Sequence, residues 1–409
     1  MDSNNISFIS RLNLYLGLLI VMVLPLYKRI VPYIIVAWGI TWVLEMGFNR
    51  RFMNYRLPGV ILLIVFYFIH ISGLIHTENI NAGLFDLEVK ATLLIFPLLF
   101  IGVNCLYKKK MSLILSGFVM GNCLASLICL VIASYNYIFL GQNTFFYNPF
   151  SVLHHPSYFS MYLVFSIVIL FEYFDKPGAK GEISLYNFRY ILAALFLLMI
   201  FLLLSKAGII CAFVVFIGLI IRQINKTDKY VRYLILLSGI IALFVFTIFN
   251  NYRFRSVEKV MHEEIDVRTS ESSGVRLLIW KTSLDIIKEN LLFGVGTGDV
   301  KDKLVSRYRS NNMEGAEKRS LNAHNQYIET TIGQGVLGLV VLLFVLIIPF
   351  VHGIRKGNYL LVFLIFIAGF NFLFESMLNT AAGVIFFSFF YSYLYIFKPG
   401  KANNAVNSS

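Results

Sequence analysis

The chain has 409 residues, 58% of them hydrophobic and only 14% charged, with a mean hydropathy of +0.74. A soluble domain carries about 25% charged residues, so this composition excludes an ordinary water-soluble enzyme and points to lipid. The formal net charge of +13 would suggest nucleic acid in a soluble protein. Here no nucleic-acid partner is expected, because the basic residues follow a membrane topology.

A bilayer core takes roughly 20 apolar residues per helix. Apolar runs fall near 13–27, 30–48, 58–76, 84–104, 112–135, 155–174, 188–204, 207–222, 231–250, 327–351, 358–373 and 378–397, which predicts an all-α polytopic membrane protein with about twelve transmembrane helices. No small-residue cleavage site follows the first run, so it is expected to be a retained helix rather than a signal peptide. Only Ser205 and Lys206 separate the runs 188–204 and 207–222. One helix of that combined length would span roughly 50 Å, more than a single crossing needs, so a hairpin is expected. Cys105, Cys123, Cys129 and Cys211 all lie in apolar runs without metal-type spacing and read as small hydrophobes.

Lys and Arg set the orientation. With a cytoplasmic N-terminus, the inner segments collect Arg50, Arg51 and Arg56, then Lys108, Lys109 and Lys110, and later Arg222, Lys226, Lys229 and Arg232. The short outer segments hold only Lys28, Arg29, Lys206 and Lys90. This positive-inside bias predicts an inner-membrane protein with both termini in the cytoplasm. Three regions follow: helices one to nine over 1–250, a large periplasmic loop over 251–325, and the last three helices with a cytoplasmic tail over 326–409. Glu45 and Glu172, near cytoplasmic helix ends, read as structural.

The loop carries the soluble chemistry. Residues 274–292 have apolar positions at helical spacing, Leu278, Thr282, Ile286 and Leu278, Trp280, Leu284, Ile287, with Lys281, Asp285, Lys288 and Glu289 opposite. An amphipathic helix is expected, lying on the membrane surface or on the bundle. Next comes Phe293-Gly294-Val295-Gly296-Thr297-Gly298-Asp299. It is neither a P-loop nor a dinucleotide fingerprint, and reads either as a helix stop with a turn or as a backbone cradle for an anion. Residues 300–320 are polar and are expected to be mobile. Then Ala323-His324-Asn325-Gln326-Tyr327-Ile328-Glu329 leads into the tenth helix, which opens with Gly333, Gly335 and Gly338. His324 thus falls at a membrane surface, either as a solvated or helix-capping residue or as a catalytic one.

Three elements occur in this order: Ser205-Lys206-Ala207-Gly208 opening a helix; Arg276 and Trp280 followed by Glu289-Asn290-Leu291-Leu292-Phe293-Gly294-Val295-Gly296; and His324-Asn325-Gln326-Tyr327-Ile328-Glu329 followed by Gly333-Gln334-Gly335-Val336-Leu337-Gly338. Together they resemble the O-antigen ligase and polymerase family, which includes lipopolysaccharide O-antigen ligases, repeat-unit polymerases and bacterial O-oligosaccharyltransferases. The resemblance implies a glycosyltransferase that acts on the periplasmic side. The donor would be a glycan on undecaprenyl diphosphate, and the acceptor a hydroxyl of lipid A-core, of another glycan or, in some relatives, of a protein. It also implies a metal-independent reaction without a cofactor. By the same likeness Arg276 binds the diphosphate, and His324 positions or deprotonates the acceptor hydroxyl. The family usually has Arg where this chain has Lys206; the charge remains but the planar fork is lost, and a snorkelling anchor is the other reading of Lys206.

Further candidates are Glu375, as a partner of His324 or of the acceptor or as a solvated loop carboxylate; His155, with His154, lining an acceptor groove or capping a helix; Lys90, meeting phosphate or pairing with Asp86 and Glu88; and Asn325 beside His324. A repeat-unit polymerase is the alternative within the enzyme class. A transporter or flippase would share the helix count, but charges near the bilayer midplane and an internal repeat, which mark that class, are not evident in the sequence.

Overall fold

The structure is a computed structural model that describes residues 8–48, 58–102, 106–175, 185–223 and 273–398. The described residues are helical throughout, without strands. In chain order they form α1 (Phe8–Val23), α2 (Val31–Phe48), α3 (Pro58–Ser72) with a 3-10 turn at Gly73–His76, α4 (Ile80–Lys90), α5 (Thr92–Gly102), α6 (Leu106–Lys109), α7 (Met111–Leu140), α8 (Tyr147–Phe150) and α9 (Pro156–Val168), which runs on through a π turn at Ile169–Tyr173. Then come α10 (Arg189–Leu203), α11 (Lys206–Gln223), α12 (Ser273–Glu289), α13 (Val300–Ser310), α14 (Glu314–Lys318), α15 (Gln326–Lys356), α16 (Tyr359–Phe372) and α17 (Ala381–Ile396). Among the described residues, four helices are long and apolar enough to cross a membrane: Pro58–His76, Met111–Leu140, Pro156–Tyr173 and Gln326–Lys356. Shorter apolar helices accompany them. The run expected over 84–104 is two helices, broken at Ala91. The run at 231–250, the early loop residues 251–272 and Cys105 lie outside the described residues.

Contacts along the helices fix which ends lie together. Arg222 pairs with Glu172 at 3.0 Å, and Arg189 approaches Asp175 at 4.0 Å. The start of α10 and the end of α11 therefore meet the same end of α9, so the chain reverses at Leu204-Ser205 as the hairpin reading expects; Leu204 takes left-handed φ of 47° there. Tyr391 donates to the carbonyl of Gly59, and Asn358 to that of Leu394, at this same end. The opposite end gathers the starts of α9, α11 and α15 and the turn between α16 and α17.

The bundle interior is aromatic. Trp38, Phe96, Phe100 and Phe389 pack at centroid distances of 5.1–6.4 Å, and Phe118, Phe165, Phe386 and Phe390 form a second stack. Several buried polar groups in this core are hydrogen-bonded to one another, which offsets the cost of burying them. Trp38 Nε1 donates to Tyr107 Oη at 2.7 Å, Asn13 Nδ2 donates to Thr41 Oγ1 at 3.0 Å, and Ser10 donates to Glu45.

Residues 273–323 fold into a small helical unit with its own core, where Val275, Ile279 and Ile286 of α12 meet Leu304, Tyr308, Met313, Ala316 and Ile332. The expectation of a mobile 300–320 is thereby corrected: Leu304, Tyr308, Met313 and Ala316 give this polar stretch enough apolar anchors to order it as α13 and α14. The expected apolar face of α12 is largely the buried one: Thr282 and Ile286 are buried with Val275 and Ile279, and Leu278, Trp280 and Ile287 pack against the same core, while Leu284 is exposed.

The glycine-rich loop is not an anion cradle. The amides of Gly294, Val295, Gly296 and Thr297 donate to the carbonyls of Asn290, Ile332, Gly333 and Gly73, and that of Gly298 donates to Thr77 Oγ1. The five successive amides from Gly294 to Gly298 are thus all taken by protein acceptors. The glycines instead permit close approach to α15, which is kinked at Gly335 (φ 64°, ψ −165°). Asp299 closes the junction by accepting the backbone N–H groups of Glu78 and Asn79, each at 2.8 Å.

Candidate active site

His324 sits one residue before the Asn325 cap of α15, with left-handed φ of 46°. Its Nδ1 lies 3.1 Å from Oε2 of Glu375, in the turn between α16 and α17. Glu375 Oε1 accepts from Arg276 Nη2 at 2.9 Å and from Ser157 Oγ at 3.3 Å. A second Arg276 nitrogen, Nη1, donates to the carbonyl of Phe374 at 2.9 Å. Four separate segments, α9, α12, the His324 loop and the 373–380 turn, thus converge on one carboxylate.

Glu375 is only 6% exposed. Burial alone would raise its carboxyl, but the His324 hydrogen bond and the charges of Arg276, His324 and His155 outweigh burial and hold it down at about 2. At neutral pH it is an acceptor only. The proton of the 3.1 Å bond therefore belongs to His324 Nδ1, which leaves Nε2 as the nitrogen free to exchange a proton with a ligand. A histidine oriented this way by a carboxylate is arranged as a general base.

The other candidates divide. Lys206 begins α11 at this end of the bundle; two residues on, Gly208 packs against Ser160, one turn along α9 from Ser157. Asn325 caps α15 through its Oδ1, which accepts from Ile328 N at 3.1 Å, and ties the turn through Nδ2 to the carbonyl of Leu373 at 3.1 Å. His155 is exposed and caps α9, its Nδ1 accepting from Ser157 N at 3.4 Å. His154 is buried against Phe159 and Tyr162, and burial with the charge of Lys28 pushes its pKa down to about 4; it packs rather than lining a groove. Lys90 is 3% exposed, pairs with Asp86 and donates to Asn379 Oδ1. The local ion pair of the two readings is present in the structure. None of these candidates lines the apolar cavity of about 410 Å³ between α3 and α15, which is walled by Ile69, Ile75, Phe293, Leu337 and Val340.

Two residues in the site had no assigned role from the sequence. Ser157 carries no distinguishing signal. Glu329 does: it is an acidic residue buried in the first turn of a long apolar helix.

Fold and site together define a multi-pass, all-helical membrane-type protein in which His324, Arg276 and Glu375 meet at one end of the bundle. The family model described as O-Antigen ligase matches residues 191–343. That match assigns this stretch to the O-antigen ligase family, which stands for glycan transfer of the ligase or polymerase kind, with lipid-linked glycan and glycan acceptor as the partners it implies. It spans Lys206, Arg276 and His324, while Glu375 lies beyond it. The chain is also similar to an uncharacterised protein of Haemophilus influenzae, 24% identical over 371 residues and covering 88% of each chain.

Proposed function

We propose that the protein transfers a glycan from undecaprenyl diphosphate to an acceptor hydroxyl at the periplasmic face of the inner membrane, in the manner of an O-antigen ligase. The observation that carries this reading is the convergence of His324 and Arg276 on the buried carboxylate of Glu375, within and beside the family-matched stretch. His324 Nε2 accepts the proton of the acceptor hydroxyl as its oxygen bonds to the sugar's anomeric carbon. The bond from that carbon to the diphosphate breaks, and undecaprenyl diphosphate departs with the electron pair. Arg276 uses two nitrogens on protein partners and retains donors of its five for the leaving group; Lys206 adds a second cation. Such cations stabilise developing phosphate charge best in a partly desolvated site.

The periplasmic assignment is supported by the distribution of charge. Arg189, Arg222, Arg355 and Lys356 lie at the end of the bundle opposite His324, where the positive-inside rule places the cytoplasm. The test is reconstitution in liposomes with one lipid-linked glycan and candidate acceptors. A glycan moved onto lipid A-core supports a ligase. A lengthened lipid-linked glycan makes the protein a polymerase instead. Translocation without transfer contradicts both.

A further inference from the structure

The left-handed backbone of His324 (φ 46°) is a conformation that a residue with a Cβ rarely adopts, and it persists only where its surroundings impose it. Side chains hold it. The His324 N–H donates to Asn322 Oδ1 at 3.0 Å. The residue just before it is held at both of its backbone groups: Trp280 Nε1 donates to the carbonyl of Ala323 at 2.9 Å, and the Ala323 N–H donates to Glu329 Oε2 at 2.9 Å.

Glu329 also reaches the other half of the pair. Ser376, next to Glu375, donates to the same Oε2 at 3.4 Å, and Asn379 Nδ2 donates to Oε1 at 2.7 Å. One buried carboxylate therefore ties the residue before His324 to the residue after Glu375. All three of its partners are donors, so an acceptor-only group fits and an amide does not. A glutamine would turn an NH2 toward the Ala323 N–H, which cannot rotate away, or toward Asn379. Asn379 is itself fixed, because its Oδ1 accepts from Lys90 Nζ at 3.2 Å.

We infer that Glu329 and Trp280 are positioning residues that clamp the Ala323 backbone and thereby set the approach of His324 to Glu375. The inference rests on the reading of His324 as the base that activates the acceptor. A clamp that acts through His324 affects only what His324 does. Glu329→Gln should lower kcat for glycan transfer about 10²-fold, the scale on which a small misplacement of a reacting group acts, with KM for the lipid donor unchanged. Trp280→Phe keeps the ring's bulk and removes only the bond to Ala323, so it should lower kcat in the same direction by a smaller factor.

The decisive measurement places each change in a His324→Ala background and reads residual turnover per amount of membrane-embedded protein. Effects that act through His324 vanish there, whereas a general loss of structure multiplies. No further loss in either double variant supports the clamp. Multiplying losses, or full turnover in both single variants beside an inactive His324→Ala, overturn the clamp alone. Full turnover in His324→Ala overturns the reading beneath it, and the clamp with it.

Discussion

Nδ1 of His324 and Oε2 of Glu375 lie 3.1 Å apart although 51 residues separate them in the chain. The carboxylate fixes which imidazole nitrogen carries the proton, and Arg276 holds the carboxylate from its other oxygen at 2.9 Å. Glu375→Gln keeps the shape but offers an NH2 to one of these donors. We expect turnover to fall on the order of 10²–10⁴-fold, the contribution of a well-held general base, with the protein still present in the membrane. Transfer assays on equal amounts of reconstituted protein check this; an unchanged rate would remove Glu375 from the site.

Acid should expose the same group. The Glu375 carboxyl is held at about 2 in the folded protein, against an ordinary value of 4.5. A depressed folded-state pKa stabilises the fold fully above the ordinary value, and this contribution is lost as pH falls toward the folded one. Thermal stability of the detergent-solubilised protein should therefore drop between pH 4.5 and about 2, and Glu375→Gln should flatten that part of the profile. Equal slopes for the two proteins would count against the ion pair.

The cations separate by geometry. Arg276→Ala should abolish transfer and also loosen Glu375; Arg276→Lys should retain part of the activity, since the charge stays and the fork that spans Phe374 and Glu375 is lost. Lys206→Arg should be tolerated and Lys206→Glu should not. Full activity of Lys206→Glu would leave Lys206 as a surface anchor.

The Gly335 kink is a structural prediction. A Cβ there would collide with the carbonyl of Leu292, and φ is +64°. Gly335→Ala should destabilise the protein by on the order of 1–3 kcal/mol or more, seen as a lower level in the membrane without a specific kinetic defect in what remains.

The sequence carried the apolar helices, the hairpin at Ser205 and the His324 segment, because each is written in consecutive residues: apolar runs, a two-residue break, a polar motif before a glycine-bearing helix. It offered Glu375 as a partner of His324 but left a solvated loop carboxylate equally open, because the neighbours of that turn say nothing of a histidine 51 positions away; Ser157 and Glu329 depend on the same long-range closure. Of the apolar positions expected on α12 only Leu284 is exposed, because Leu304 and Tyr308 pack on the line through Ile279 and Ile286. The glycine-rich loop stayed open between turn and cradle because the fate of its amides depends on α15, which supplies the carbonyls of Ile332 and Gly333.

The central claim is that His324 activates the acceptor. The most direct measurement compares wild type and His324→Ala in liposomes, with donor binding and single-turnover transfer read on the same preparations. The account predicts a loss of transfer on the order of 10²–10⁴-fold with donor binding intact, because Arg276 and Lys206 remain. Loss of donor binding in step with transfer, or retention of both, would contradict it.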